Sequence, residues 1–291
     1  MTPHHDHGDR HADAAATGDL AELLDLDAEV FGAYLDEVTD WVHQFAAGSP
    51  AGISPAGTVL DLGCGTGTAT IALARRFATA EVIALDTSEL MLSRVRARAA
   101  ELGLADRVHT VQADLDTAWP AVDSLDVVWA SRSLHHLAEP GRVLQQTFAA
   151  MNPGGVLAVA EIAAQSRFLP DDIGLGRPGL EARCHAVLAE LQAEQLPNLG
   201  ADWRSRLERA GFVVDAERTF AIDLKPPLPA AGPRYAAASL RRIRAHVQDR
   251  LDAEDLATLD ALLGSDGPHS LLQRDDLHLR STRDVYLTRR P

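Results

Sequence analysis

The sequence predicts an α/β fold: a parallel sheet with helices on both faces. Three observations carry this. Short apolar runs alternate with helical patterns five times over about 105 residues, the signature of βαβ units. One junction between such a run and a helix is a glycine turn, Gly63-Cys64-Gly65-Thr66-Gly67. Acids stand at or near the ends of three successive strands, Asp61, Asp86 and Asp114.

Residues 1–18 are polar, mixing His4, His5, His7 and His11 with Asp6, Asp9 and Asp13. They offer nothing to a core and read as a disordered tail. A floppy segment lacks fixed ligand geometry, so no metal site is assigned to it. Residues 19–54 read as a helical cap. Leu20, Leu23, Leu24 and Leu26, then Val30, Phe31, Tyr34, Leu35, Val38, Trp41, Val42 and Phe45, recur at helical steps, with a break expected near Asp25–Asp27. A Gly/Pro-rich linker spans 48–57.

Thr58 to Leu62 is the first strand, β-branched at its start and apolar. After the glycine turn, Ala69, Leu73 and Phe77 mark a helix. Glu81–Asp86 is the second strand, and Thr87 or Ser88 caps the next helix, which stops at Gly103. Strands follow at 108–111 and 125–130, then a helix opened by Pro140. Asn152 to Gly155 reads as a turn and Val156 to Glu161 as the fifth strand.

The rhythm then breaks. A loop (Phe168 to Gly179) leads into a helix carrying Leu180, Cys184, Val187, Leu188 and Leu191. A helix over 203–210 and a strand over 212–224 come next. Helices near 233–250 and 253–263 precede a final strand over 277–289. The interruptions 163–202 and 225–276 are too long for ordinary connections and are expected to pack as a lid. The domain from 55 to 291 thus has a core of 55–162, 203–224 and 277–291.

Composition sets bounds. The chain has 291 residues, 46% of them apolar, enough for a sizeable core. With 27 basic against 42 acidic residues the net charge is −15, which repels phosphate backbones and argues against nucleic acid. The basic cluster Arg241, Arg242 and Arg244 reads as a solvated helix face. No apolar run reaches membrane-spanning length. The two cysteines, Cys64 and Cys184, make no disulfide framework. A cytoplasmic monomer or homodimer is expected.

The acids and glycines specify a ligand. Open α/β sheets bind at the C-terminal strand edge. Asp86, 19 residues beyond Gly67, stands where a carboxylate accepts from ribose hydroxyls. Asp114 is placed to accept from an adenine amino group. A dinucleotide fold wants G-x-G-x-x-G, but here Gly63, Gly65 and Gly67 alternate and Thr68 holds the third position. Asp61 would repel a pyrophosphate and suits a cationic or amine-bearing ligand.

At Val59–Gly67, Ala84-Leu85-Asp86-Thr87-Ser88, Gln112-Ala113-Asp114, Asp126–Ala130, Ser133–Leu137 and Leu144–Leu157, the chain resembles the class I S-adenosylmethionine-dependent methyltransferases of small-molecule type. The resemblance covers about residues 56–162. It implies a Rossmann-like seven-stranded, mostly parallel sheet, its last strand antiparallel beside the fifth. It implies Gly63, Cys64, Gly65 and Gly67 against the methionine moiety, with Asp61 near its ammonium. By the same resemblance Asp86, with Thr87, would hold the ribose, and Ala113, Asp114 and Leu115 would hold adenine, with Met91 packed near it and Ala130 and Ser131 closing the methionine side. The resemblance implies S-adenosylmethionine as cofactor and S-adenosylhomocysteine as product, and no metal.

His135 and His136 follow the fourth strand beside the expected methyl position and are the catalytic candidates. A base is needed only when the acceptor atom carries a proton; the alternative role is to hold the loop. Substrate candidates are Tyr34, Arg177, His185 and Tyr235, with Arg183, Arg234 and His246 beside them. The absence of an Asn-Pro-Pro-Tyr element after the fourth strand, with the acidic surface, favours a small organic acceptor methylated at O, N or C. Competing readings keep the scaffold but change the chemistry: a cyclisation or decarboxylation, or a regulatory pocket without turnover.

Overall fold

A computed structural model describes residues 8–48, 57–265 and 267–291, with side chains from Thr17 onward. Two helices lead, α1 (Gly8–Val30) and α2 (Gly32–Ala47). The alternating part follows: β1 (Thr58–Leu62), α3 (Thr68–Arg76), β2 (Glu81–Asp86), α4 (Glu89–Glu101), β3 (Val108–Gln112), β4 (Leu125–Ser131), α5 (Pro140–Ala150) and β5 (Met151–Arg167). Then come α6 (Leu180–Gln195), α7 (Trp203–Arg209), β6 (Val213–Leu224), α8 (Gly232–Val247), α9 (Ala253–Leu263) and β7 (Leu279–Arg289).

The seven strands form one sheet in the order β3-β2-β1-β4-β5-β7-β6. Strands β1 to β5 pair in parallel, and β7 lies antiparallel between β5 and β6. The central strands alternate strictly between two apolar faces. Val59, Val127, Trp129, Val156 and Ala158 point toward α2, α3 and α4. Leu60, Leu62, Val128, Ala130, Leu157 and Val159 point toward α5 and α7. A strand buried on both faces reads as a continuous apolar run, which is why β1 and β4 were visible in the sequence. The strand order reverses between β1 and β4, so a crevice opens at their C-terminal ends.

A third apolar cluster joins α1, α6, α8, α9 and the segment 168–173. Helix α8 packs against α1, α6 and α9. The material of the two long interruptions therefore backs the N-terminal helices. Of the basic cluster on α8, Arg244 pairs with Asp260 at 2.6 Å, while Arg241 and Arg242 line a second cleft beside α1.

Several boundaries differ from expectation. Residues 8–18, expected to be disordered, are the first turns of α1. The run Ala14-Ala15-Ala16 has high helix propensity and continues into the amphipathic stretch. Residues 1–7, with His4, His5, Asp6 and His7, lie outside the described residues, as does most of the linker. The helix break falls at Phe31, not at Asp25–Asp27. Those aspartates stay helical because their side chains reach partners: Asp25 pairs with Arg94 and Arg98, and Asp27 with Arg132. The expected turn 152–155 is absorbed into β5, because Gly154 N–H donates to the Arg290 carbonyl (2.7 Å) and Arg290 N–H to that of Gly155 (3.0 Å).

Candidate active site

The crevice at the β1/β4 switch is a cavity of about 620 Å³, a size suited to a small ligand. Its floor is the glycine turn. Gly63 and Gly67 have φ of 76° and 83°, where a side chain is strained. A Cβ on Gly63 would stand 2.5 Å from the Cβ of Ser133, and one on Gly67 2.7 Å from Val95. Gly63 thus lets the loop after β4 close on the turn, and Ser133 Oγ donates to the Leu62 carbonyl at 2.8 Å. Gly67 serves packing of α3 on α4 and does not line the cavity, and neither does the fully buried Ala130.

Asp86 ties the floor to β2. One carboxylate oxygen accepts from Gly65 N–H and the other from Ser88 N–H, each at 2.9 Å. Each oxygen keeps a further lone pair. Asp61 is 2% exposed and accepts from the Thr70 hydroxyl at 2.6 Å. Burial pushes its pKa up to about 7, with Thr70 opposing and the Asp86 charge reinforcing the rise. Asp114 lies at the exposed rim, where the Thr117 hydroxyl and the Asp116 amide hold its carboxyl below the usual range. Thr87, Met91, Ala113, Leu115 and Ser131 complete this end. Cys64 also lines it. Burial raises its thiol pKa, so it is protonated and inert.

The other end is assembled from α1, α2, the loop after β4 and one residue of β7. Leu20, Leu24, Phe31, Tyr34 and Leu35 form its apolar wall. Arg132 takes a left-handed conformation (φ 53°), costly for a non-glycine residue and tolerated where surroundings enforce it. Here its N–H donates to the Ala160 carbonyl (2.8 Å) and its guanidinium makes a forked pair with Asp27 (2.8 and 3.0 Å). The Asp27 charge raises the Arg132 pKa further. Tyr235 donates to the same Asp27 at 3.1 Å and stands behind the wall. Arg283 is 4% exposed and its guanidinium lies 5.5 Å from the Phe31 ring. Burial, then the Arg132 charge, lowers its pKa.

The two histidines part company. His135 is buried and shares a 2.6 Å hydrogen bond through Nδ1 with the equally buried Glu161. His136 lines the cavity, its ring 4.2 Å from that of His135. Partial desolvation, with His135 and Arg242 nearby, lowers its pKa and keeps it neutral at physiological pH.

Of the substrate candidates, only Tyr34 reaches the cavity. Arg177 is taken by Asp252, Glu254 and Asp255. His185 is buried within α6 packing, and burial lowers its pKa to about 4. Arg183 pairs with Asp255 at 2.6 Å, while Arg234 and His246 line the second cleft. None of residues 163–202 or 225–276 lines this cavity; they support its wall from behind. Sequence reasoning missed Asp27, Arg132, Trp129 and Arg283. Asp27 interrupting an apolar helical pattern was the one available signal.

A nucleoside-type crevice with a glycine floor and acids at successive strand ends defines a doubly wound α/β cofactor-binding class. The comparisons carry this to a family. A family model described as a methyltransferase domain matches residues 59–155. A trans-aconitate 2-methyltransferase of Methylobacterium radiotolerans is 35% identical over 237 residues, covering 75% of this chain and 87% of that protein. One of Variovorax paradoxus is 34% identical over 137 residues, 47% of this chain and 50% of that protein, so the chain spans about half the length of some relatives. A methyltransferase-fold protein of Bacillus halodurans superposes with a TM-score of 0.55 at 19% identity, over 87% of this chain and 98% of that one. The chain belongs to the class I S-adenosylmethionine-dependent methyltransferase family. Among the described residues, no helix is long and apolar enough to cross a membrane, and no group of three His, Cys, Asp or Glu could hold a metal ion.

Proposed function

We propose that this chain transfers a methyl group from S-adenosylmethionine to a small organic acceptor in the β1/β4 cavity. The carrying observation is that Asp61, Asp86 and Asp114 share one wall with the glycine turn. The residues fit the cofactor. The desolvated Asp61 carboxyl wants a cation, Asp86 retains free lone pairs, and the buried Thr66 hydroxyl lacks a hydrogen-bond partner. In this reading Gly63, Cys64 and Gly65 bound the methionine end, Asp86 and Thr87 the ribose, and Met91, Ala113, Asp114 and Leu115 the adenine. Ser131 closes the methionine side. When bound, the cofactor supplies a methyl group on a positively charged sulfur.

The chain's own part is to align the acceptor and exclude water. The N-terminal helices, backed by α8, act as the lid. Neutral His136 accepts a proton when the acceptor atom carries one, and His135, fixed by Glu161, positions it. The relatives named for trans-aconitate support a small-molecule acceptor. Calorimetry with S-adenosylmethionine, S-adenosylhomocysteine and NAD tests the cofactor: the first two bind and NAD does not. Release of S-adenosylhomocysteine during acceptor turnover tests the transfer. His136→Ala is expected to lower kcat about 100-fold at saturating acceptor; unchanged turnover removes the base role.

A further inference from the structure

The far end of the cavity holds donors without acceptors. Arg283 is buried, yet among the described residues no carboxylate lies within ion-pair distance of it. Only its Nη1 donates, to Ser281 Oγ at 2.6 Å and to the carbonyls of Ala164 and Thr282 at 3.3 and 3.1 Å. Its Nε and Nη2 N–H groups have no acceptor among the described residues. The Tyr34 hydroxyl and the Trp129 indole N–H are buried and likewise make no hydrogen bond. All three side chains line the same cavity.

The neighbouring acids do not answer these donors. Asp27 is engaged by both arms of Arg132 and by Tyr235. Glu161, whose Oε2 bonds His135, keeps an unpartnered Oε1 but does not line the cavity. A buried cation and two buried donors without partners are each costly to leave so. Together they fit a ligand that only accepts, is negatively charged and is planar enough for a guanidinium fork.

We infer that Arg283, with the Tyr34 hydroxyl, forms a receptor for a carboxylate on the methyl acceptor. The inference rests on the methyltransferase reading and names its substrate class: small organic acids. The cavity is then bipolar, acidic where the sulfonium cofactor belongs and basic where the acceptor's anion belongs. Phe31, Leu20 and Leu24 between them suit a short carbon skeleton.

The test uses the full chain loaded with S-adenosylhomocysteine and titrated calorimetrically. The probes are trans-aconitate, citrate, succinate and benzoate, with the neutral trimethyl ester of trans-aconitate as control. At least one acid is expected to bind, and the ester to bind at least about 10-fold more weakly than its parent if that parent is the ligand. Arg283→Gln should weaken the acid about 10- to 100-fold and leave S-adenosylhomocysteine affinity unchanged. Tyr34→Phe, which deletes one oxygen only, should weaken it about 5-fold. Arg283→Lys should recover part of the loss, and it replaces Arg283→Gln if that protein does not fold. If no acid binds the loaded protein, or Arg283→Gln and Tyr34→Phe both bind acid like wild type, the inference is overturned and the methyltransferase reading stands. Failure of S-adenosylhomocysteine itself to bind overturns that reading and this inference with it.

Discussion

The two ends of the cavity are built in opposite ways. The cofactor end is made by short stretches around Asp61–Ala69, Leu85–Met91 and Ala113–Asp116, each at or just beyond the end of a strand. Its polar groups are tied to the strand ends and turns around them: Asp86 to the amides of Gly65 and Ser88, Asp114 to the Asp116 amide and the Thr117 hydroxyl. The acceptor end proposed here gathers Asp27, Phe31, Tyr34, Trp129, Arg132 and Arg283 from three distant stretches, the α1–α2 junction, the end of β4 and β7. There Asp27 and Arg132 are tied to each other across those parts, while Arg283, Tyr34 and Trp129 make no hydrogen bond to another residue of the cavity. One end is a property of the sheet edge, which any chain with this topology must possess. The other is a property of what is laid over the edge.

Breaking the cofactor end should have the largest effect. Asp86→Ala leaves the Gly65 and Ser88 N–H groups without their acceptor and removes the ribose partner proposed above. S-adenosylmethionine affinity is expected to fall at least about 100-fold, and folded stability by about 2–4 kcal/mol. Calorimetry and chemical denaturation read the two. An Asp86→Ala protein that binds cofactor like wild type would show that the sheet edge is not the cofactor end.

Asp61 sharpens the comparison through pH. Its folded pKa of about 7 lies above the unfolded value of 3.8, so the folded state holds the proton more tightly. The stability this confers is full below the unfolded value. It is lost at about 1.4 kcal/mol per unit as pH rises toward 7, and is gone above that. The stability of Asp61→Asn relative to wild type should therefore increase by about 2 kcal/mol between pH 5 and 7 and then level off. Saturating S-adenosylmethionine should shrink the difference, because a cation beside Asp61 favours its ionised form. Denaturation midpoints across that range check both.

Gly67 provides the control with the smallest expected effect. Gly67→Ala forces a side chain into a left-handed position 2.7 Å from Val95. A loss of about 2 kcal/mol in stability is expected, with little change in cofactor affinity in the fraction that folds. A loss of affinity exceeding the loss of stability would return Gly67 to the binding surface.

The same contrast explains what could be read in advance. The alternation of strands and helices follows from local patterns, and the antiparallel last strand from the family resemblance; eleven of the thirteen residues proposed for the cofactor line the cavity. Gly67 and Ala130 miss it because their neighbours in the turn and strand carry the surface instead. The acceptor end was mostly illegible. Arg177 and His185 have suitable chemistry, but their orientations depend on packing between helices that periodicity does not fix. Arg283 lies in a strand where an arginine reads as an outward-facing residue. Only its register opposite Ile162 of β5 turns it inward.

The Asp27 clamp has a kinetic consequence. It joins residues 105 positions apart to Arg132 and 208 apart to Tyr235. Asp27 reaches these partners through side chains alone, whereas β5 and β7 are joined by a backbone ladder. Helix α1 can therefore lift while the sheet stays closed. The amides of α1 should then exchange with solvent through an opening smaller than global unfolding, one that leaves the sheet protected while it exposes the basic end of the cavity.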